Sequence, residues 1–209
     1  MSDPIDIRSR PLVSVEQFDL QEVYKDDIEG ILISKGEIES RIEKLATEIA
    51  ADYTQKQGEI LAICVLTGAM RFYVQLSSDK QIRFPFQVET IKADSYEKGT
   101  QSGGKVTFSG FNFSKVRGKH ILFVEDIYDT GNTLHSLIEA TTPHQPLSVE
   151  TTILLDKPDR HLENITLKPK YVGFTIPNSF VVGYGLDFAG KYRNLPHLGV
   201  LKPSVYQPK

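Results

Sequence analysis

Apolar positions first follow a helical period along this chain and then form short continuous runs. Ser34 and Glu37 have the spacing of a capping box at a helix start, and Gly58 is a suitable stop. Between them one face of the predicted helix is apolar, at positions 38, 42, 45, 46, 49, 50 and 53. The run Ile60–Leu66 contains no polar residue, which predicts a strand buried on both faces of a parallel sheet.

The remaining predicted elements alternate between helix and strand. Helices are expected at 70–78 and 132–140, and strands at 87–92, 105–108, 120–125, 149–155 and 171–174. The polar stretch Asp94–Gly104 has glycines and no periodicity, which is typical of a surface loop. This order predicts a single α/β domain over residues 1–209 with a mainly parallel sheet. Ligands of such folds bind beyond the carboxyl ends of the strands.

Composition indicates a soluble globular protein and excludes several function classes. The chain has 209 residues, of which 40% are hydrophobic and 24% are charged, and this suits one folded domain. Its net charge of −3 creates no positive field that would attract nucleic acid. No apolar run approaches the ~20 residues of a membrane span, and the N-terminus lacks the apolar stretch of a signal peptide. We therefore expect a cytoplasmic protein without nucleic-acid or membrane partners.

The single cysteine, Cys64, lies inside the apolar run Ile60–Leu66. It has no second cysteine to pair with, so an internal disulfide is excluded. Its neighbours favour the interpretation of a small buried hydrophobe, and thiol chemistry is the alternative.

The segment after the predicted strand 120–125 carries the most chemical information. A helix start, a glycine and two hydroxyl groups form a candidate anion cradle at Thr130, Gly131, Asn132 and Thr133. Three carboxylates precede it, at Glu125, Asp126 and Asp129. Because carboxylates repel a bare anion, the ligand should also carry hydroxyl groups or a divalent cation. A phosphorylated sugar with a free diol meets this requirement, while helix capping and solvated turn positions are the alternative roles for the acids.

The stretch Val124–Thr133 resembles the phosphoribosyl-diphosphate-binding signature of the type I purine phosphoribosyltransferases. Further motifs match in order: Val65–Ala69 resembles the diphosphate-binding loop, Ser95-Tyr96 the start of the flexible catalytic loop, and Leu154–Pro158 the purine-contacting segment. Residues 174–193 are similar to the hypoxanthine-guanine branch of the family. The resemblance implies a mainly parallel sheet flanked by helices, with a core at about 34–175 and a small hood formed by residues 1–33 and 176–209.

The resemblance also implies an enzyme of purine salvage that transfers the 5-phosphoribosyl group from phosphoribosyl diphosphate to hypoxanthine or guanine. The products are IMP or GMP and diphosphate, the cofactor is Mg²⁺, and the expected assembly is a homodimer or homotetramer. Asp129 is the implied general base near purine N7. Lys157 is the implied donor to the purine 6-oxo group, and such a donor disfavours the amino group of adenine.

Further roles carry over to the matched positions of this sequence. The residues implied to bind phosphoribosyl diphosphate are Glu125, Asp126, Thr130, Gly131, Asn132, Thr133, Thr67, Gly68 and Arg193. The other residues implied to bind the purine are Phe180, Val181 and Asp187. The implied metal ligands are Glu125, Asp126 and Asp187.

The diphosphate-binding loop departs from the family pattern at one position. Thr67 stands where many family members carry a basic residue. Backbone N–H groups can still bind an anion there, but a charged side chain is missing. The resemblance further implies that the Leu66–Thr67 peptide bond is cis.

Alternatives stay open for the function and for individual residues. A regulator that senses the sugar donor and binds RNA or DNA would have the same fold, and a transferase for xanthine or adenine would use the same chemistry. Asp129 could merely cap the helix, Lys157 could be a solvated strand end, and Phe180 could belong to the core. Asp187 and Arg193 could form only a surface ion pair, which contributes little to stability.

Overall fold

A computed structural model describes residues 2–95 and 106–207 of the chain. Its strands are β1 (Ile5–Asp6), β2 (Ile28–Ile33), β3 (Glu59–Leu66), β4 (Gln87–Ser95), β5 (Val106–Ser109), β6 (Lys119–Tyr128), β7 (Ser148–Asp156), β8 (Tyr171–Thr175), β9 (Val181–Val182) and β10 (Leu198–Leu201). Within the described residues, seven strands form a large sheet in the order β1-β8-β7-β6-β3-β4-β5. Only β4 and β5 pair antiparallel in this sheet. The predicted α/β fold with a mainly parallel sheet is therefore confirmed.

The helices are α1 (Glu22–Lys25), α2 (Lys35–Tyr53), α3 (Met70–Ser77), α4 (Asn132–Thr141) and α5 (Pro203–Tyr206). The predicted capping box is present, because the Ser34 hydroxyl accepts from the Glu37 N–H and the Glu37 carboxylate accepts from the Ser34 N–H at 2.9 Å. This satisfies two N–H groups that the start of α2 would otherwise leave unpaired. No helix within residues 2–95 and 106–207 is long and apolar enough to cross a membrane.

Helices cover both faces of the large sheet, and β3 shows this most clearly. Alternate residues Ile60, Ala62 and Cys64 pack with α2 and α3, whereas Leu61, Ile63 and Val65 pack with α4. Successive side chains of a strand point to opposite faces, so a run without polar residues fits a strand that is covered on both sides. The prediction of a doubly buried strand is confirmed.

Cys64 belongs to the first of these buried clusters. Burial raises the pKa of its thiol to about 12, and the charges of Glu125 and Asp126 add to the shift. A thiol with such a pKa holds almost no nucleophilic thiolate at neutral pH. The interpretation as a buried hydrophobe is therefore confirmed.

A second, smaller sheet is formed by segments from both ends of the chain. The antiparallel strands β2, β10 and β9 pair in that order, and a separate hydrophobic cluster packs around them. We call this unit the hood, and it agrees with the fold that the resemblance implies. The N-terminal segment does not lie wholly in the hood, however, because Ile5 and Asp6 pair with Phe174 and Thr175 at the edge of the large sheet.

Two strands run three residues beyond their predicted ends. Strand β6 continues past Glu125 to Tyr128, because Ile127 and Tyr128 still pair with Leu155 and Asp156 of β7. Strand β4 continues to Ser95. The predicted loop Asp94–Gly104 therefore starts too early, since its first two residues pair with β5. In both places the polar side chains suggested a loop although pairing with a neighbouring strand extends the ladder.

Candidate active site

Three predicted functional segments meet at one edge of the large sheet. They lie at or just after the carboxyl ends of β3, β6 and β7, which are adjacent parallel strands with β6 in the middle. Parallel strands bring their carboxyl ends to the same edge, where the ligands of α/β folds bind. The diphosphate loop, the acidic segment and the purine segment predicted from the sequence therefore lie side by side.

Glu125 and Asp126 form the acidic centre of this edge. Glu125 is 7% exposed, and its Oε1 accepts a hydrogen bond from the Asp126 N–H at 3.2 Å. Burial, followed by the charge of Asp126, raises the pKa of Glu125 well above its usual value. Burial also raises the pKa of Asp126, while hydrogen bonds and the charge of Arg193 oppose that shift. A merely solvated turn position is therefore excluded for Glu125, and a cation would stabilise this pair.

The diphosphate loop contacts the acidic centre at Gly68. A Cβ atom on Gly68 would lie 1.6 Å from Asp126 Oδ2, so any other residue here would force that carboxylate to move. The preceding Leu66–Thr67 peptide bond is cis, as the resemblance implies. From the hood, a Cβ atom on Gly185 would lie 2.2 Å from the carbonyl oxygen of Gly68. Three separate segments of the chain thus meet around one glycine.

The predicted anion cradle lies at the start of α4. Gly131 occupies the N-cap position with a φ of 86°, a left-handed conformation that favours glycine. A Cβ atom there would also lie 2.6 Å from Tyr128 Oη. The Asn132 N–H donates to Thr130 Oγ1 at 3.4 Å, and Thr133 follows in the first turn. The helix N-terminus and the two threonines are therefore together, an arrangement suited to binding a phosphate.

Asp129 does not cap α4, because Gly131 holds that position. Its Oδ1 instead accepts a hydrogen bond from Arg160 Nε at 3.1 Å, and both side chains reach solvent. The capping alternative for Asp129 is therefore wrong. Sequence reasoning missed Arg160, although it lies only a short turn after Lys157. The position of Arg160 in the sequence does not indicate that the turn Pro158–Arg160 folds back onto the acidic segment.

Lys157 is buried near Asp129. The residue is 9% exposed, and its backbone N–H donates to the carbonyl oxygen of Tyr128 at 3.0 Å. Burial lowers the pKa of its ammonium group, and the charge of Asp129 opposes this shift. Asp156 Oδ1 and His161 Nε2, 2.7 Å apart, close the turn that carries Lys157. The solvated-end alternative is therefore wrong.

Asp187 and Arg193 form the ion pair that the sequence suggested, with Oδ1 and Nη2 2.7 Å apart. The pair is not isolated at the surface, because Arg193 Nη1 also donates to the Gly185 carbonyl oxygen at 2.6 Å. The positive charge of Arg193 also acts on Asp126, where it opposes the rise in the pKa of that carboxyl group. No three His, Cys, Asp or Glu side chains of the described residues cluster as metal ligands. The implied metal ligands Glu125, Asp126 and Asp187 are therefore not preassembled into one group.

Phe180 and Val181 lie at the start of β9. Val181 is buried and pairs with Val200 of β10. Phe180 packs in the hydrophobic cluster of the hood, where the ring of Tyr206 stacks on it with centroids 4.8 Å apart. The structure thus places Phe180 in hood packing, and its contact with a purine stays a prediction.

The flexible catalytic loop is the remaining predicted part of the site. Ser95 is the last residue of β4. Tyr96 and the rest of the predicted loop lie outside the described residues. The roles of Ser95 and Tyr96 therefore stay predictions.

The chain is similar to known proteins over most of its length. Residues 34–189 match the family model of the phosphoribosyl transferase domain. The hypoxanthine-guanine phosphoribosyltransferase of Bacillus subtilis is 41% identical over 185 residues, which is 88% of this chain and 99% of that protein. The bifunctional protein TilS/HprT of Listeria innocua is 39% identical over 185 residues. These residues are 88% of this chain but only 28% of that protein.

A solved structure of a similar protein has a similar fold. The crystal structure of a hypoxanthine phosphoribosyltransferase from Staphylococcus aureus aligns with a TM-score of 0.81 at 34% identity. The alignment covers 90% of this chain and 99% of that one. The chain therefore belongs to the phosphoribosyltransferase family and has its type I fold.

Proposed function

We propose that this protein transfers the 5-phosphoribosyl group from phosphoribosyl diphosphate to hypoxanthine or guanine, giving IMP or GMP and diphosphate. The observation that carries the proposal is the buried Lys157 close to Asp129, beside the acidic pair Glu125 and Asp126. One site then holds a donor for a purine oxygen, an acceptor for a purine proton and a centre suited to a sugar diol. The names of the relatives support the same substrates.

The sugar donor is expected to span the loops around Gly68. Glu125 and Asp126 accept hydrogen bonds from the ribose hydroxyl groups, and the N-terminus of α4 with Thr130–Thr133 binds the 5′-phosphate. The backbone of Thr67 and Gly68 holds the diphosphate. Arg193, which already contributes positive charge near Asp126, adds to the neutralisation of the leaving group.

The purine is expected to lie between Lys157 and the hood. The Lys157 ammonium donates to the 6-oxo group, and Asp129 accepts the proton from N7 as the new glycosidic bond forms. Phe180 stacks on the base, and the Val181 backbone contacts its edge. An amino group at position 6 offers no acceptor to Lys157, so adenine is disfavoured.

Mg²⁺ fits the chemistry of this edge. It binds proteins through one or two carboxylates and takes its other ligands from water and substrate phosphates, so a preassembled group of three is not required. Glu125 and Asp126 are the first candidates to hold it, with Asp187 as a further proposed ligand. When bound, Mg²⁺ would neutralise charge on the diphosphate and offset the repulsion between the two buried carboxylates.

A panel of bases tests the proposed function. Purified protein is incubated with phosphoribosyl diphosphate, Mg²⁺ and either hypoxanthine, guanine, xanthine or adenine, and nucleotide formation is followed by chromatography. We expect IMP and GMP to form, and to stop when EDTA removes the metal. No nucleotide from either 6-oxopurine at saturating donor would overturn the proposal.

The same panel with Lys157→Met tests the base assignment. Loss of a hydrogen bond to a charged group costs about 1.5–3 kcal/mol, so kcat/KM for hypoxanthine and guanine should fall by about 10- to 100-fold. Discrimination against adenine should fall with it. Lys168→Met, which changes an exposed lysine in the next loop, is the control and should behave as wild type. Unchanged base preference in Lys157→Met would return Lys157 to a structural role.

A further inference from the structure

Arg71 joins the core to the hood directly behind the diphosphate loop. It is the second residue of α3, which begins just after Thr67 and Gly68. Its Nη1 donates to the Leu195 carbonyl oxygen of the hood at 3.0 Å. Its guanidinium carbon also lies 4.4 Å from the centroid of the Tyr184 ring. The side chain therefore makes two specific contacts across the boundary, a hydrogen bond and a cation–π interaction.

Arg71 contacts a turn of the hood that has an unusual backbone. We call residues 183–186 the hood turn, because Gly183 and Leu186 pair across it. Tyr184 has a φ of 51°, in the left-handed region that a residue with a large side chain rarely adopts. The Tyr184 N–H donates to the Leu195 carbonyl at 2.9 Å, so this oxygen accepts from both Tyr184 and Arg71. The Gly185 N–H donates to the Arg193 carbonyl at 3.0 Å. Such a conformation persists when surrounding contacts fix it, and Arg71 supplies two of those contacts.

The same turn places the charged groups that face the diphosphate loop. The Gly185 carbonyl accepts from Arg193 Nη1 at 2.6 Å, and Arg193 pairs with Asp187 at 2.7 Å. Gly185 itself packs against the Gly68 carbonyl so closely that no side chain would fit. A change in the position of the turn would therefore move Arg193 and Asp187 relative to Gly68.

We propose that Arg71 is a positioning residue for the sugar donor: it fixes the hood turn on α3 and thereby holds Arg193 over the diphosphate loop. This inference rests on the proposed function, because it takes the loop and Arg193 as the site of the diphosphate. Arg71 itself is not expected to contact the reacting atoms. Its effect should appear in binding of the donor and not in recognition of the purine.

Calorimetric binding of phosphoribosyl diphosphate and of inorganic diphosphate, each with Mg²⁺, provides the test. Arg71→Met keeps the aliphatic stem but removes the charge and the donor. It should weaken binding of both ligands by about 10-fold, because a hydrogen bond and a cation–π contact are lost. Arg71→Lys, which retains the positive charge and can still donate a hydrogen bond, should recover part of the loss. Arg10→Met is the matched control, since Arg10 pairs with Glu37 at the start of α2 and contacts no proposed ligand site.

A double variant separates positioning from direct contact. If Arg71 acts through Arg193, then Arg71→Met combined with Arg193→Met should bind diphosphate no more weakly than Arg193→Met alone. Full additivity would overturn the positioning role, and so would binding by Arg71→Met within about twofold of wild type. The KM for hypoxanthine at saturating donor should stay within about twofold, whereas a partial loss of folded protein would lower the apparent kcat and leave both KM values unchanged.

These binding measurements do not depend on turnover. A wild-type protein that binds diphosphate but forms no nucleotide would refute the proposed function and still give a valid result for Arg71. A wild-type protein that binds neither phosphoribosyl diphosphate nor diphosphate would overturn this inference as well.

Discussion

Replacement of Asp129 by asparagine is expected to lower kcat by about 10²-fold or more, the usual contribution of a positioned acid–base group. Asparagine keeps the shape of the side chain and can still accept the hydrogen bond from Arg160 Nε, which is 3.1 Å long in wild type. It cannot accept the N7 proton. Steady-state kinetics should therefore show a fall in kcat, with binding of phosphoribosyl diphosphate largely unchanged.

Asp159→Asn is the matched control for this prediction. Asp159 is an exposed carboxylate on the turn between Lys157 and Arg160, so its replacement removes the same charge nearby without touching the proposed base. The control should retain wild-type kcat. A kcat for Asp129→Asn within a factor of about three of wild type would show that Asp129 is not the general base.

Replacement of Glu125 by glutamine is expected to stabilise the ligand-free protein while it reduces activity. The pKa of Glu125 is raised in the folded state by burial and by Asp126, so the folded protein binds this proton more tightly than the unfolded chain does. The stability that this group contributes is therefore present at low pH and is lost as the pH rises through the folded pKa. Glutamine removes the buried charge and keeps the shape.

Thermal unfolding at several pH values measures this effect. Each kcal/mol gained corresponds to about 2–4 °C in Tm for a chain of this size. The Tm of Glu125→Gln should exceed that of wild type most at pH 8, and the difference should shrink toward pH 5. Activity should fall by about 10-fold or more, because the ribose loses a charged acceptor. Glu139→Gln, at an exposed position of α4, is the control. An equal or lower Tm at pH 8 would contradict the assignment of Glu125 as a destabilising buried charge.

Much of the core could be predicted from the sequence because its signals are local. The capping box Ser34–Glu37 and the apolar run Ile60–Leu66 specify α2 and β3 within a few residues. The acidic segment next to a glycine and two threonines likewise identifies the edge where ligands bind. In these cases the residues that interact lie close together in the chain or follow a regular period.

The hood could not be predicted in the same way because its contacts join distant residues. Its strand β2 pairs with β10, and β9 is only two residues long. No short-range period specifies such a sheet. Arg71 and Arg160 were missed for the same reason: one contacts Leu195 and the other contacts Asp129, each far away in the chain. Spacing within a local motif carries no information on these partners.

We propose that the loops around Gly68 form a single site for sugar donor and purine. A crystal structure with phosphoribosyl diphosphate, Mg²⁺ and an unreactive 6-oxopurine analogue tests it most directly. We expect the 5′-phosphate at Thr130–Thr133, the diphosphate at Thr67 and Gly68, and the purine oxygen within hydrogen-bond distance of the Lys157 ammonium. A donor bound away from the Glu125–Asp126 pair, or a purine that does not contact Lys157, would contradict it.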